Sequence, residues 1–563
     1  MSLESRLDAW SRGWRGPLLA ALIAMVAGLP GLFTVPPLDR DESRFAQTTA
    51  QMLETGDYVN IRFQEDPRYK KPIGIHWLQA VSVATLSDPA DREIWAYRIP
   101  SLLGAMLAAA ACAWGAAAFF GPRLGLFAGG LLGASFLLST EAFIAKTDAM
   151  MVGAVTLAMA ALSHVYLASR GGPPTSKRTW LLFWGGMALA TLVKGPVGPM
   201  AVILTILMLW AWDREAKWLA ELRWGWGLIL FFAIVGPWAI AITVATDGAF
   251  WGAAIGGDLT PKLAGGHERH GGPFGYHTLL VSLLIFPATL LLPAAVWRGW
   301  RDRVEPGVRF ALCWLIPTWI VFELLPTKLV HYTLPTYGAL TWLMASAMRQ
   351  PLGKALSVSG AVLTGLAAAV FSAATIYLLA EFGDGFDIWA AALTVLLFVT
   401  TALVGGYMIL RRAAATAMVA AGALGILAHG AFWMALAPVL EPVWLSREVA
   451  EKLEATRLHP RGGVTPGPVE VAGYAEPSLV FALGTPTGLG DGEDAANAIF
   501  QGRPAVVESR EEPAFRAAMN KRGLAPNPAG QVKGLDYTNG DEMVLTIYRP
   551  LAYTNSLAPA PER

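Results

Sequence analysis

Thirteen stretches of this chain are apolar over nearly the length needed to cross the roughly 30 Å core of a bilayer, and that repetition excludes a soluble fold. They fall near residues 17–36, 99–120, 124–140, 148–168, 180–193, 197–212, 225–246, 276–297, 308–325, 329–347, 355–380, 388–410 and 413–439. The segments 180–193 and 197–212 are short, and Pro196 and Pro199 predict bends or extensions into their flanks. Composition agrees: 54% of the 563 residues are hydrophobic and 15% charged, against about 25% charged in soluble domains. A net charge of +1 supplies no global field for nucleic acid, so any electrostatic role is local. Cys112 and Cys313 both lie in apolar stretches and read as small core residues. The apolar run from about Pro17 to Val35 follows Arg6, Arg12 and Arg15. It is nearly long enough to span and has no small-x-small cleavage site, so it reads as a retained first helix.

The positive-inside rule orients the chain. With a cytoplasmic N-terminus, the short inside loops carry Arg123, Arg170, Lys177, Arg178, Arg214, Lys217, Arg223, Arg298, Arg301, Arg303, Arg309, Arg349, Lys354, Arg411 and Arg412. The short outside loops carry only Lys146, Lys194 and Lys328. The count of spans is then odd and the C-terminus exported. Two outside loops are long, 37–98 and 247–275, and long ordered loops usually carry function. In the first, Ser43 to Thr55 predicts a surface helix that ends at Gly56. Beyond about residue 440 the spans stop. The strand patterns 469–473, 504–509 and 542–548, with a helical pattern at 511–523, predict a small exported α/β domain over 441–563; residues 1–440 form the membrane part.

The concentrated ionisable clusters all fall on the outside face: Asp39–Arg44, the "RYKKP" of 68–72, the "EAFIAKTD" of 141–148, the loop 258–270 and the "PTKLVHY" of 326–332. Their convergence predicts one site. Asp41 opens a helix and fits two roles. It suits a cap on the first-turn N–H groups, and it suits a general base or charge stabiliser kept ionised by Arg44 one turn on. Asp39 and Glu42 point elsewhere on helical spacing, toward solvent or a supporting position. Lys70 and Lys71, ahead of Pro72, suit either lipid headgroups or a phosphate clamp, and Arg44, Lys262 and Lys328 favour the clamp as further donors on the same face. Asp148 opens the fourth span as an interfacial or functional carboxylate. His267 and His270 have the i, i+3 spacing of a metal pair, but surrounding glycines predict a loop. Lys328, His331 and Tyr332 suit a polar headgroup, with Tyr332 equally an ordinary interfacial aromatic.

An exported "DESR" after the first span, "KP" before the second, an aspartate at the fourth, "KLVHYTLP" before the tenth and a soluble tail together resemble the GT-C superfold. Within it they resemble the aminoarabinose transferases and protein O-mannosyltransferases; the tail, with "GYAEPSLVFALGT", resembles that of the bacterial family 39 group. The resemblance implies a sugar carried on a polyprenyl phosphate and passed to an acceptor on the non-cytoplasmic face of the inner membrane. It implies Asp41 and Asp148 as catalytic carboxylates, Arg44 and Lys71 at the carrier phosphate, and His270 and Tyr332 closing the site; Lys70, Lys328 and Lys262 join them as substrate-binding candidates on their position and charge. Aminoarabinose transferases have an acidic residue where this chain has Lys70. That exchange weakens any metal site built on the acid and predicts a preference for an anionic substrate. No phosphate-cradling glycine loop is present, so no nucleotide is expected, and no cofactor is required; a divalent metal is not assignable.

The expected activity is thus an inverting, aminoarabinose transferase-like transfer to lipid A, its core or another envelope glycan. The alternatives are mannosyltransferase-like transfer to exported protein and a lipid-linked sugar flippase. A flippase needs ionisable groups along a path through its spans; 99–120 and 355–380 contain none.

Overall fold

The apolar pattern becomes helix over most of the first 440 residues. The computed structural model describes residues 3–261, 271–385, 387–462 and 467–551; Lys262, His267 and His270 lie outside the described residues. Among the latter, eight helices are long and apolar enough to cross a membrane: Arg15–Thr34, Ile94–Phe120, Asp148–Ala168, Trp224–Ala245, Pro306–Leu324, Lys354–Phe382, Ile388–Leu410 and Ala414–Val439. Thr179–Lys194 and Val197–Asp213 are shorter, and Tyr276–Leu284 with Ala288–Arg301 form a pair bent by 117°.

The remaining expected segments are broken rather than uniform. Residues 124–140 divide into Pro122–Gly133 and Phe136–Glu141, and 329–347 is α-helical only over Tyr337–Ala347. Pro335 disfavours helix in the residue before it. The stretch 328–333 is therefore left irregular and free to turn side chains into a cavity.

Close approach between two central spans fixes the geometry around Asp148. A Cβ at Gly104 would meet the Met150 Cα at 2.4 Å, and one at Gly153 would meet the Gly104 carbonyl oxygen at 2.4 Å. Only glycine lets Ile94–Phe120 and Asp148–Ala168 pack so tightly. Charge collects at the two ends of this bundle. At the end bearing residues 170 and 213, Asp213 pairs with Arg170 at 2.9 Å and with Arg309, and accepts from the Tyr166 hydroxyl at 2.7 Å. The other end holds the site.

After the helix Leu445–Ala455, a five-stranded sheet runs in the order Gly488–Gly490, Glu470–Ala472, Ala505–Glu508, Asp541–Tyr548, Pro528–Asp536. The first three strands are parallel; the last two join antiparallel. The three expected strands are present, as is the helix Glu512–Lys521. Gly488–Gly490 and Pro528–Asp536 escape a sequence reading because glycine, proline and lysine dilute their strand pattern.

Candidate active site

The helix Asp41–Thr55 forms where predicted and ends at Gly56 in the left-handed conformation, φ 74°. Its entry is anchored from below. Glu42, expected to face solvent or a supporting position, is fully buried against Arg98, with Nε–Oε1 2.9 Å and Nη2–Oε2 2.8 Å. Glu42 also accepts from the backbone N–H groups of Leu38 (2.8 Å) and Ala145 (2.6 Å). Arg98 spends its remaining donors on the carbonyls of Gly31, Leu32, Val35 and Pro36. One bidentate pair thus ties the end of the first span to the start of the site helix and to the loop before Asp148.

Above this anchor lies a polar cavity of about 300 Å³ lined by Asp39, Arg40, Asp41, Arg44, Arg68, Lys70, Lys71, Lys146, Asp148, Lys194, Asp258, His331 and Tyr332, with Phe45, Thr147, Thr327 and Leu329. Seven lysines and arginines face four aspartates, and this excess of positive charge suits an anionic ligand. A second cavity of about 440 Å³ adjoins it and shares Lys70, Lys71, Lys194, Asp258, His331 and Tyr332. Its remaining walls include Met151, Phe250, Trp251, Ile255, Phe322 and Leu325. A charged chamber therefore lies beside an apolar one and shares a wall with it.

Asp41 presents its carboxylate to the polar chamber, with 63% of the side chain exposed there. It makes none of the side-chain contacts of a helix cap. Burial pushes its pKa upward, but Arg68, Lys146, His331 and Arg44 outweigh that and hold the carboxyl below the usual range. Its nearest cation is Arg68, 3.9 Å away and stacked over Phe45 at 4.5 Å; Arg44, the expected partner, acts alongside it. Asp148 is buried in a knot of charge. Lys194 Nζ bonds its Oδ1, Lys146 lies 3.9 Å from Oδ2, and His331 Nε2 is 3.5 Å from Oδ1. Lys146 also pairs with Glu141 at 3.0 Å.

The structure brings together Asp41, Arg44, Lys70, Lys71, Asp148 and Tyr332. It moves Lys328 elsewhere. The Lys328 ammonium is buried and donates to the carbonyls of Glu323 (2.6 Å) and Leu325 (2.9 Å), because a lysine just past a helix end reaches the unsatisfied carbonyls of the last turn. It caps Pro306–Leu324 and does not line the chamber. Arg68 and Asp258, which lie within the outside-face clusters, and Lys194, an outside-loop cation, join the site in roles that only tertiary packing reveals. Among the described residues no group of three or more His, Cys, Asp or Glu side chains is arranged to hold a metal.

The sequence matches the family described as dolichyl-phosphate-mannose-protein mannosyltransferase over residues 70–240. It is 28% identical over 326 residues to an undecaprenyl phosphate-alpha-4-amino-4-deoxy-L-arabinose arabinosyl transferase of Aeromonas salmonicida, spanning 56% of this chain and 58% of the relative. The enzyme of that name from Pseudomonas aeruginosa strain PAO1 is 29% identical over 361 residues, 62% of this chain and 63% of the relative. The matched stretch thus falls short of two thirds of these relatives. In three dimensions the chain superimposes on ArnT from Cupriavidus metallidurans bound to undecaprenyl phosphate with a TM-score of 0.74 and 18% identity, covering 94% of this chain and 97% of that one. The chain is therefore a multi-pass membrane protein with the fold of ArnT, similar in sequence to aminoarabinose transferases and, over residues 70–240, to the protein mannosyltransferase family.

Proposed function

We propose that this protein is a glycosyltransferase that takes a sugar from undecaprenyl phosphate and passes it to lipid A, its core or another envelope glycan. We place the site and the C-terminal domain on the periplasmic face of the inner membrane, with the N-terminus cytoplasmic. One observation carries the reading: a cation-rich chamber with an exposed carboxylate shares a wall with an apolar chamber, the pairing that a sugar phosphate on an isoprenoid chain requires. Lys70, Lys71 and Lys194 stand at the junction, where the phosphate belongs; Phe250, Trp251, Phe322 and Leu325 suit the isoprenoid.

The acceptor oxygen attacks the anomeric carbon as the bond from that carbon to the phosphate oxygen breaks, and the bonding pair leaves with the undecaprenyl phosphate. The transition state is oxocarbenium-like. Cations at the phosphate stabilise the leaving charge, and Asp41, ionised, takes the proton of a hydroxyl acceptor. Attack opposite the leaving phosphate inverts the anomeric centre. Asp148, locked between Lys194 and Lys146, orients those ammonium groups. Mass spectrometry of lipid A, core and exported proteins from cells with and without the gene tests the reading. A sugar mass missing from lipid A or core supports it; one missing only from exported proteins favours the mannosyltransferase alternative.

Lys71 Nζ lies 2.8 Å from Asp258 Oδ2, so a carboxylate sits where a phosphate oxygen would bind. Asp258→Asn is expected to tighten undecaprenyl phosphate binding several-fold, measured by titration of the purified protein. Weaker or unchanged binding would remove Lys71 from the phosphate site.

A further inference from the structure

The tip of the outermost hairpin of the C-terminal domain rests on the residues that precede Asp41. The hairpin pairs Pro528–Asp536 with Asp541–Tyr548, and its turn begins at Tyr537. The Asp39 backbone N–H donates to the Tyr537 hydroxyl oxygen at 2.6 Å. On the other side Ser478 Oγ donates to Asp39 Oδ1. Ser478 lies 2.6 Å from Ser446 Oγ, which lies 2.9 Å from the Tyr474 hydroxyl. Two segments of one domain, some sixty residues apart in sequence, thus hold a single aspartate of the membrane part.

The residue between the gripped Asp39 and Asp41 is unusual. Arg40 has φ 59° and ψ −101°, a conformation that an L-residue adopts only when its surroundings enforce it. Strain of that kind relaxes when the restraint is removed, and relaxation at Arg40 swings the first residue of the site helix. Glu42 is fixed from below by Arg98, so the movable part of the segment is Asp39 to Asp41.

We propose that the C-terminal domain is a positioning element for the reaction: Ser478 and Tyr537 grip Asp39, and through Arg40 that grip sets where the Asp41 carboxylate sits. This rests on the reading of Asp41 as the catalytic carboxylate. Tyr537 and Ser478 are positioning residues, since neither lines the chamber. The domain's function is thereby assigned to the site rather than to a separate ligand.

The grip is sensitive to pH in a defined direction. Burial pushes the Asp39 carboxyl up to about 8, with Glu476 and Asp536 adding to the rise and Tyr537 and Arg40 opposing it; Tyr474 also faces it. The gripped aspartate holds a proton that a free carboxyl loses above 3.8. Docking is therefore strongest below that value and weakens as pH rises to about 8. Above it an ionised Asp39 faces Glu476 and Asp536.

The test uses the full chain in lipid nanodiscs, comparing wild type with Tyr537→Phe, Ser478→Ala and Asp39→Asn. Tyr548→Phe, on the far side of the same domain beside Glu512 and Arg516, serves as the control. Amide exchange of residues 38–44 is expected to quicken about ten-fold in Tyr537→Phe. Its kcat is expected to fall about ten-fold with the donor KM within two-fold. Tyr548→Phe changes neither quantity. Wild-type kcat falls above pH 8, and Asp39→Asn lacks that fall. Unchanged exchange in both Tyr537→Phe and Ser478→Ala, or faster exchange with unchanged kcat, overturns the inference. Wild-type protein that transfers no sugar, while exchange still responds to Tyr537→Phe, overturns the catalytic reading and leaves only the grip.

Discussion

Asp41→Asn should lower kcat by about 10²- to 10⁴-fold and leave the KM for the lipid-linked donor unchanged or lower. Asparagine keeps the shape and removes the charge. The phosphate is held by other groups, so binding survives, and taking one negative charge out of a chamber rich in lysine and arginine can only favour an anion. In the proposed reaction the carboxylate acts where positive charge develops at the anomeric carbon and where an acceptor proton must go. Both effects belong to the transition state, and a loss confined to kcat is the signature of such a group. The positive charge around Asp41, chiefly that of Arg68 and Lys146, holds its pKa below the ordinary carboxylate range, so the acid limb of the wild-type profile lies below that range, and activity falls as the pH descends along that limb. Asp41→Glu keeps the charge but displaces it by a methylene, and it should recover only part of the loss. Steady-state kinetics with purified protein decide; a variant within a few-fold of wild-type kcat would remove Asp41 from the chemistry.

The second large effect concerns folding. Arg98→Met leaves Glu42 ionised and fully buried with two backbone N–H groups as its remaining partners. Removing one member of a buried pair costs about 3–5 kcal/mol, and here four carbonyls at the end of the first span also lose their donor. The variant should show a strongly lowered thermal unfolding temperature in detergent. Arg98→Met combined with Glu42→Gln should recover part of the loss, because no charge is then stranded. A double variant no more stable than the single would show that the pair's value lies in the carbonyl contacts rather than in the charge.

These two cases mark what the sequence reveals. Apolar windows are local, so eight of the thirteen expected spans are legible, as are the end of the site helix at Gly56 and three of the five C-terminal strands. Asp41, Arg44, Lys70, Lys71, Asp148 and Tyr332 are legible as polar groups on one side of a membrane, since topology alone puts them on a common face. Contacts across the fold are not legible. Lys194 meets Asp148 from 46 residues away and Asp258 meets Lys71 from 187; no periodicity relates them. For Glu42 the sequence leaves solvent and a supporting position both open, because four of its neighbours are charged, and the choice between them depends on an arginine 56 residues distant. Lys328 misled for a different reason. A lysine beside a motif histidine and tyrosine reads as part of the motif, yet the nearest unsatisfied acceptors are the carbonyls of the helix it follows.

The account stands most directly on where the carrier phosphate binds. A cryo-EM structure of this protein with undecaprenyl phosphate should place the phosphate at the junction of the two chambers, within hydrogen-bond reach of Lys71, with the isoprenoid along Phe250, Trp251 and Phe322. A phosphate at the opposite end of the bundle, near Asp213 and Arg309, or one lodged away from both Lys71 and Asp41, would contradict it.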